Sequence, residues 1–321
     1  MTWLSDAAVE RLRDVADWPV VASGRYHILE ALGRGGMGMV YGGHDRSLDR
    51  HVAIKVLSAT AVDPQASSRV RREARVLARL EHPGIVPVYD LDLLDDGRIF
   101  YVMKLVHGRR LDEHAIERPL PERLRLFTRI CEAVAFAHSL GIIHRDLKPE
   151  NVMVGQFGEV LVMDWGVAQI IDDCDLRSLE HGSQPADGEP YRASAVVGTR
   201  GYMAPEQARG ESADARADVY ALGGLLQFLL TGTAPDQTPP RGPRSLLAIC
   251  RKARSDQVGS RYQDVASMAA DVDRFLAGEP ISASRERAVD RVLRFARKHR
   301  AAILMVTAYL VLRVAIAWLA P

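Results

Sequence analysis

The stretch that decides the fold is His144-Arg145-Asp146-Leu147-Lys148-Pro149-Glu150-Asn151. It brings carboxylate and amide groups, which handle protons or metals, close to two cations. Pro149 biases the preceding Lys148 away from helical conformation, so we expect a loop. A helical pattern precedes the stretch and an apolar run follows it, which places the loop at the edge of a core. Any one of these residues also fits a solvated turn, so the functional interpretation depends on partners elsewhere in the chain.

A glycine-rich segment, Gly33 to Val40, provides the first partner. Its spaced glycines are Gly33, Gly35 and Gly38. In dinucleotide-binding folds such glycines lead into a helix, whereas here they lead into a strand-like run. The pattern therefore favours a hairpin whose backbone N–H groups fold over phosphates, where a Cβ would hold the chain off the ligand. Val40 and Ala53 would form apolar walls for an adenine. A flexible hairpin without a ligand is the alternative.

Lys55 lies within the apolar strand-like run 52–57 and is expected to be buried. A lysine is rarely buried without a partner. The helix predicted over residues 66–80 offers Glu73, which shares a face with Val76, Leu77 and Leu80. An ion pair between Glu73 and a neighbouring surface arginine is the alternative.

The remaining signals follow the decisive loop. A small hairpin over 152–163 delivers Asp164-Trp165-Gly166, and the Trp165 N–H needs a hydrogen-bond partner. A long polar loop over 167–204 ends in Ala204-Pro205-Glu206. The apolar pattern over 218–230 predicts a buried central helix. The helix predicted over 122–140 carries His138, which we interpret as a satisfied core histidine rather than a ligand.

Composition limits the function classes. The chain has 321 residues, 47% of them hydrophobic, and a formal net charge of +1, which gives no indication of nucleic-acid binding. Its three cysteines, Cys131, Cys174 and Cys250, lack CxxC spacing. This pattern fits a reducing compartment and argues against a disulfide framework or a zinc site.

In order, these motifs resemble those of the bacterial, membrane-attached serine/threonine protein kinases of the Hanks type. The resemblance covers residues 26–277 and implies an α+β fold with two lobes, a small β-rich one with one key helix and a larger helical one. The expected organisation is an N-terminal helical extension (1–25), a kinase domain (26–277, divided at 106/107), a basic segment (278–300) and a transmembrane helix (301–320).

The resemblance also implies roles for residues. ATP and Mg²⁺ would be the cofactors, with Mn²⁺ as a substitute. Lys55, held by Glu73, would grip the α- and β-phosphates, and Asn151 and Asp164 would hold the metal. Asp146 would accept or orient the substrate proton, and Lys148 would stabilise the moving phosphoryl group. The residues expected to contact ATP are Leu32, Gly33, Gly35, Gly36, Gly38, Val40, Ala53, Lys55, Met103 as gatekeeper and Val106 in the hinge.

Further implied roles concern the loop and its support. Arg145 suggests control by phosphorylation, with Ser194 and Thr199 as candidate sites, although we expect Thr199 to be structural. Glu206 and Arg261 would form a buried ion pair, and Asp218 would accept backbone N–H groups of the catalytic loop. The residues between 230 and 245 lack the pattern of the helix that docks substrates in most kinases, so we expect that helix to be missing.

The tail predicts membrane attachment. Residues 281–300 combine seven Lys/Arg with an apolar stripe at helical spacing. Residues 301–320 hold one charge, Arg313, and would span about 30 Å as a helix. The basic flank would place the kinase domain on the cytoplasmic side of the cytoplasmic membrane. An oligomerisation or core helix is the alternative.

Three functions remain to be compared. The first is an enzyme that phosphorylates Ser/Thr of proteins, including its own activation loop, with a homodimer as one route to this. The second is a pseudokinase scaffold at the membrane, which is disfavoured because Lys55, Asp146 and Asp164 are all present. The third is a small-molecule kinase of the same fold, which is disfavoured because Thr199 and Ala204-Pro205-Glu206 resemble a peptide platform.

Overall fold

A five-stranded antiparallel sheet forms the first lobe of the protein, in a computed structural model that describes residues 19, 21, 24–35, 38–60, 79–94, 96–165, 169–170, 199, 201–284 and 304–309. Its strands run in the order β1-β2-β3-β5-β4. Their bounds are β1 (Tyr26–Gly35), β2 (Gly38–Asp45), β3 (Arg50–Thr60), β4 (Val88–Leu93) and β5 (Arg98–Lys104).

Strand β3 has a buried side chain at every position from 52 to 56. Val52, Ile54 and Val56 pack into the core of the first lobe with Phe100 and Val102 of β5. Because side chains alternate along a strand, Ala53 and Lys55 lie on the opposite face, toward the second lobe. The alternating side-chain directions of β3 thus place the lysine on the face opposite the core of the first lobe.

Strands β1 and β2 form an antiparallel hairpin that pairs, with two register shifts along β1, up to Gly35 and Gly38. This confirms the predicted hairpin over the strand–helix arrangement of dinucleotide folds. Strand β4 begins at Val88, and the preceding Ile85 makes a single parallel bridge to Val162 of the second lobe. Ile85 therefore belongs to the connection between the lobes.

The second lobe is helical. Its helices are α1 (Leu111–His114), α2 (Leu120–Ser139), α3 (Pro205–Ala208), α4 (Arg216–Thr231), α5 (Arg244–Ala253) and α6 (Val265–Leu276). Helix α2 ends before Gly141, which has φ +73°, a conformation that glycine adopts without strain. Helix α4 is buried on nearly every side and forms the centre of the lobe, as its apolar pattern predicts.

Two small sheets hold the decisive loop. Strands β6 (Gly108–Arg110), β8 (Val152–Gly155) and β9 (Val160–Val162) form one sheet, and β7 (Ile142–Ile143) pairs with β10 (Gln169–Ile170). Residues 144–151 therefore run between two strand ends, β7 and β8, and include a 3₁₀ turn, Pro149–Asn151. This arrangement fixes both ends of the loop.

Residues 232–243 contain no helix, which confirms the expected loss of the docking helix in this fully described stretch. Gln227 of α4 instead holds the loop: its Nε2 donates to the carbonyl oxygens of Pro235 (3.3 Å) and Thr238 (2.9 Å). The loop is thus tied to the central helix by side-chain hydrogen bonds.

The second lobe continues past residue 277, the predicted boundary. Ile281 is 8% exposed and packs with the lobe's core. Asp271 of α6 is buried and accepts hydrogen bonds from Ser282 N (2.7 Å) and Ala283 N (2.9 Å). Packing therefore extends the lobe to residue 283.

Several predictions fall outside the described residues: most of the N-terminal helical extension (1–25), the helix over 66–80 apart from Arg79 and Leu80, most of the loop over 167–204, and most of the tail. Residues 304–309 are helical and exposed. Among the residues that the structure describes, no helix combines the length and the apolar character needed to cross a membrane.

Candidate active site

One face of the sheet gathers the side chains predicted to contact a nucleotide. The register pairs Val40 with Lys55 and Ala53 with Met103. Directly paired residues share a face, and so do residues two apart on β3. Val40, Ala53, Lys55 and Met103 therefore lie on one surface above the second lobe.

The glycine hairpin forms the edge of that surface. Gly38 has φ +154°, and a Cβ there would collide with the carbonyl oxygen of Val56. A Cβ added at Gly33 would meet no atom within 4 Å, so this glycine faces open space. Leu32 is 46% exposed at the same edge, which suits a residue that covers a ligand. Gly36 lies outside the described residues.

Lys55 joins the two lobes. Its side chain is 2% exposed, and its Nζ forms an ion pair with Oδ1 of Asp164. Asp164 has φ +63°, a conformation that non-glycine residues rarely adopt, and it directs its carboxylate into the cleft. These two side chains therefore meet between the lobes, whereas Glu73, the predicted partner of Lys55, lies outside the described residues.

Asp218 anchors the decisive loop from below. Its carboxylate is fully buried and accepts hydrogen bonds from the backbone N–H groups of His144 and Arg145, both at 2.8 Å. His138 Nε2 lies 2.7 Å from the same carboxylate, so this histidine is a satisfied core residue. Burial alone would raise the pKa of Asp218, but the hydrogen bonds that it accepts from His138 and from the His144 backbone N–H contribute to lowering it below its usual range.

His144 adds a second anchor. Its Nε2 lies 2.9 Å from the carbonyl oxygen of Met163, which can only accept, so Nε2 carries the proton. Its Nδ1 then accepts from the Asp146 N–H at 3.3 Å. The ring packs against Trp165 with centroids 4.6 Å apart. The Trp165 N–H was predicted to need a hydrogen-bond partner, and it donates to the carbonyl oxygen of Val162 at 3.2 Å.

Asp146, Lys148 and Thr199 form a closed set of polar contacts. Lys148 Nζ lies 2.8 Å from Asp146 Oδ2 and donates to Thr199 Oγ1 at 2.8 Å. The Thr199 hydroxyl donates to Asp146 Oδ1 at 3.2 Å. Because this hydroxyl is engaged by both residues, the geometry favours the structural role expected for Thr199. Ser194, the other candidate phosphorylation site, lies outside the described residues.

Asn151 lies beside Asp146 and Asp164. Its Nδ2 donates to the backbone carbonyl (2.7 Å) and to Oδ2 (3.2 Å) of Asp146, which leaves its Oδ1 as an acceptor. Its own backbone carbonyl accepts from Met163 N at 2.8 Å, next to Asp164. An amide oxygen and a carboxylate suit Mg²⁺, which usually takes few protein ligands together with substrate phosphates. In the described part of the chain, no group of three or more His, Cys, Asp or Glu side chains is placed to hold a metal.

The segment from Thr199 to Glu206 forms a platform beside this site. The Arg261 guanidinium donates to both oxygens of the Glu206 carboxylate, at 2.6 and 2.8 Å. Both side chains are buried, so the ion pair implied by the resemblance is present. Burial would raise the pKa of Glu206, but the hydrogen bonds from Arg261, a backbone hydrogen bond and the Arg261 charge together lower it.

Gln207 and Asp271 are supporting residues that were not predicted from the sequence. Gln207 Nε2 donates to the Arg145 carbonyl at 3.1 Å, and its Oε1 accepts from Ala204 N at 3.1 Å, which links the platform to the loop. No sequence pattern indicates this contact. Asp271 could have been found, because it shares a helical face with Met268 and Val272, and an acid on an apolar stripe needs partners.

A family model described as a protein kinase domain matches residues 26–306. A probable serine/threonine-protein kinase of Streptomyces coelicolor is 39% identical over 289 residues, which are 81% of this chain and 41% of that protein. The serine/threonine-protein kinase PknB of Mycobacterium tuberculosis is 39% identical over 290 residues, which are 82% of this chain and 44% of that protein. The chain therefore spans less than half the length of these curated relatives.

Solved structures are similar as well. The crystal structure of the Mycobacterium tuberculosis PknI kinase domain matches with a TM-score of 0.59 and 28% identity. The match covers 79% of this chain and 99% of that chain. The likeness thus extends over both lobes.

Proposed function

The chain belongs to the protein kinase family, and we propose that it transfers the γ-phosphoryl group of ATP to serine and threonine hydroxyls of proteins. The similar curated proteins are named as serine/threonine kinases, which supports this choice of acceptor.

The observation that carries the proposal is the contact set of Asp146, Lys148 and Thr199. A substrate hydroxyl beside Asp146 would give its proton to the carboxylate while its oxygen forms a bond to the γ-phosphorus. The bond between that phosphorus and the ADP oxygen breaks in the same transfer. Lys148, 2.8 Å from the carboxylate, can neutralise charge on the moving phosphoryl group. Thr199 fixes the orientation of both side chains.

The upper lobe would hold the nucleotide. Val40, Ala53 and Met103 provide an apolar surface for the adenine, with Leu32 and Val106 at its edges. Lys55 would give up part of its ion pair with Asp164 and bind phosphate oxygens instead. Its buried ammonium group suits this role because it is positively charged. The hairpin glycines allow backbone N–H groups to approach the phosphates.

Asn151 and Asp164 would hold Mg²⁺, or Mn²⁺ in its place. The ion, when bound, neutralises phosphate charge. The residues of this chain contribute orientation: Asn151 is fixed by its hydrogen bonds to Asp146, and Asp164 by its ion pair with Lys55. Lys55, Asp146, Asn151 and Asp164 are all present, and Lys55 contacts Asp164 while Asn151 contacts Asp146. Nothing therefore favours the pseudokinase alternative.

Incubation with γ-labelled ATP, Mg²⁺ and a degenerate Ser/Thr peptide mixture tests the proposal. The wild-type chain should label the peptides, and Asp146→Asn should lower the rate by a factor of about 10² or more, as expected for a group in proton transfer. Asp92→Asn, the same change on exposed strand β4, is the matched control and should keep the wild-type rate. Equal rates for wild type and Asp146→Asn would show that Asp146 does not accept the proton of the substrate hydroxyl.

We propose further that the tail attaches the kinase domain to the cytoplasmic membrane. Residues 281–300 are basic and 301–320 are apolar, and the exposed side chains of Leu304, Met305 and Val306 suit a helix covered by something outside this chain. Removal of residues 301–321 should move the protein from the membrane fraction to the supernatant. Unchanged fractionation would contradict attachment.

Autophosphorylation is the remaining part of the proposal. Ser194 lies in the loop before the platform, and Arg145 next to Asp146 would pair with a phosphate there. Phosphorylation between two copies in a homodimer makes the initial rate per molecule rise with protein concentration. A concentration-independent rate would instead indicate reaction within one copy.

A further inference from the structure

Arg254 reaches the platform from the end of helix α5. Its Nη1 donates to the carbonyl oxygen of Gly201 at 2.7 Å. Gly201 has φ +89° and lies in a tight turn in which Tyr202 N donates to the Thr199 carbonyl at 3.1 Å. The hydrogen bond from Arg254 therefore holds the turn that carries Thr199, whose hydroxyl contacts Asp146 and Lys148.

Tyr220 of α4 connects Arg254 with Arg261. The guanidinium carbon of Arg254 lies 4.8 Å from the Tyr220 ring centroid, and that of Arg261 lies 5.0 Å from the same centroid. Arg261 binds Glu206 at the far end of the platform. Two arginines that share one aromatic ring thus hold the platform at both ends.

Two consecutive glycines in the central helix make room for Arg254. A Cβ on Gly224 would lie 2.6 Å from Arg254 Nη1, and one on Gly223 would lie 2.8 Å from Arg254 Cγ. Glycine inside a helix is unfavourable relative to alanine. The helix therefore accepts two unfavourable residues at the two positions where a side chain would displace this arginine.

The surroundings explain why such support is needed. Residues 232–243 contain no helix, and the three atoms nearest to a Cβ built on Gly201 belong to Pro235 and Asp236 of this loop. On this side the turn meets a loop rather than a helix, and Arg254 supplies a directed contact to its backbone.

We infer that Arg254 is a positioning residue for protein substrates, acting through the Gly201 carbonyl and the Thr199 turn, with Gly223 and Gly224 providing its space. This inference rests on the proposed kinase function and concerns the peptide side of the reaction alone. In the described part of the chain, Arg254 contacts Gly201 and Tyr220 and packs against the Gly223–Gly224 step, none of which is predicted to bind ATP.

Steady-state kinetics of Arg254→Met tests it, with a serine peptide selected by the wild-type chain from a degenerate library. The peptide KM should rise by about tenfold to a hundredfold, the range for a lost hydrogen bond from a charged group. The KM for ATP should stay within about twofold, because the upper lobe keeps its contacts. Arg254→Lys should recover part of the loss, since an ammonium still carries charge but lacks the planar fork.

Two further variants complete the test. Arg251→Met makes the same change one turn earlier, at an exposed residue that bonds within its own helix, and should match wild type. Gly224→Ala keeps Arg254 but should raise the peptide KM in the same direction. If Arg254→Met matched Arg251→Met, or if the KM for ATP rose in equal proportion, the positioning role would be refuted. A wild-type chain that transfers no phosphate would refute the proposed function and this role with it.

Discussion

Replacement of Asp218 by asparagine should destabilise the catalytic loop without changing the shape of the side chain. The carboxylate accepts from His144 N and Arg145 N at 2.8 Å and lies 2.7 Å from His138 Nε2. An asparagine amide has one acceptor oxygen, and its NH₂ group can only donate. At least one backbone N–H would therefore face another donor in a fully buried site.

The magnitude follows from the contacts. A hydrogen bond to a charged group contributes about 1.5–3 kcal/mol, and an unsatisfied buried donor costs about 1–3 kcal/mol. Because the other hydrogen bonds survive in weaker, uncharged form, we expect the free energy of unfolding of the second lobe to fall by about 2–4 kcal/mol. The rate of phosphoryl transfer should fall as well, since the backbone that carries Asp146 loses its anchor.

Urea denaturation followed by circular dichroism measures the effect. Asp214→Asn is the matched control, because Asp214 precedes the same helix, is 44% exposed and pairs with Arg216. Its loss should cost less than about 1 kcal/mol, as is usual for surface pairs. If Asp218→Asn and Asp214→Asn unfolded at the same urea concentration, the anchoring role of Asp218 would be wrong.

Three further predictions concern the described residues. Trp165→Phe should lower the free energy of unfolding by only about 0.5–1.5 kcal/mol, because the Val162 carbonyl keeps its bond from Val86 N; a loss above roughly 3 kcal/mol would contradict this. Among the described residues, folding lowers the pKa of four buried carboxyl groups: Asp45, Glu206, Asp218 and Asp271. A lowered folded-state pKa adds stability that is fully present above the unfolded pKa, about 4, and is lost as the pH falls through the folded value. The unfolding midpoint should therefore fall steadily below about pH 4, and a flat profile would contradict it. Burial raises the pKa of the Cys131 and Cys250 thiols, so iodoacetamide at pH 8 should modify neither in the folded protein and both in urea; rapid labelling of the folded protein would contradict this.

Strand β3 and helix α4, which position the site, could be predicted from the sequence because a buried element consists largely of apolar residues. Residues 52–57 of strand β3 are apolar except for Lys55, and because side-chain directions alternate along a strand, Lys55 had to lie on the face opposite Val52, Ile54 and Val56. Helix α4 is apolar on all sides and therefore had to be central. Asp218 at its start then had to be buried, and a buried carboxylate requires donors.

Contacts that depend on backbone carbonyls could not be predicted. Arg254 follows Arg251 and Lys252 at a helix end, where basic residues are common for electrostatic reasons alone. Gly223 and Gly224 look like unfavourable residues in an apolar helix. Only the three-dimensional packing shows that these glycines and Arg254 complement each other, because the partner, the Gly201 carbonyl, has no sequence signature.

Element ends were also poorly predicted where tertiary contacts decide them. The second lobe extends to residue 283 because Asp271 captures the Ser282 and Ala283 N–H groups, whereas the sequence after Leu276 shows only a Gly-Glu-Pro turn signal. Ile85 lies outside β4 because it bridges to Val162.

The central claim is that Lys55 and Asp164, from different lobes, meet at a nucleotide site beside Lys148. The chain has five lysines: Lys55, Lys104, Lys148, Lys252 and Lys298. An acyl-phosphate derivative of ATP transfers its acyl group to an amine next to the bound phosphates, and mass spectrometry identifies the labelled lysine. We predict labelling of Lys55 and Lys148 that excess ATP with Mg²⁺ suppresses. Labelling confined to Lys252 and Lys298, or labelling that ATP does not suppress, would contradict the account.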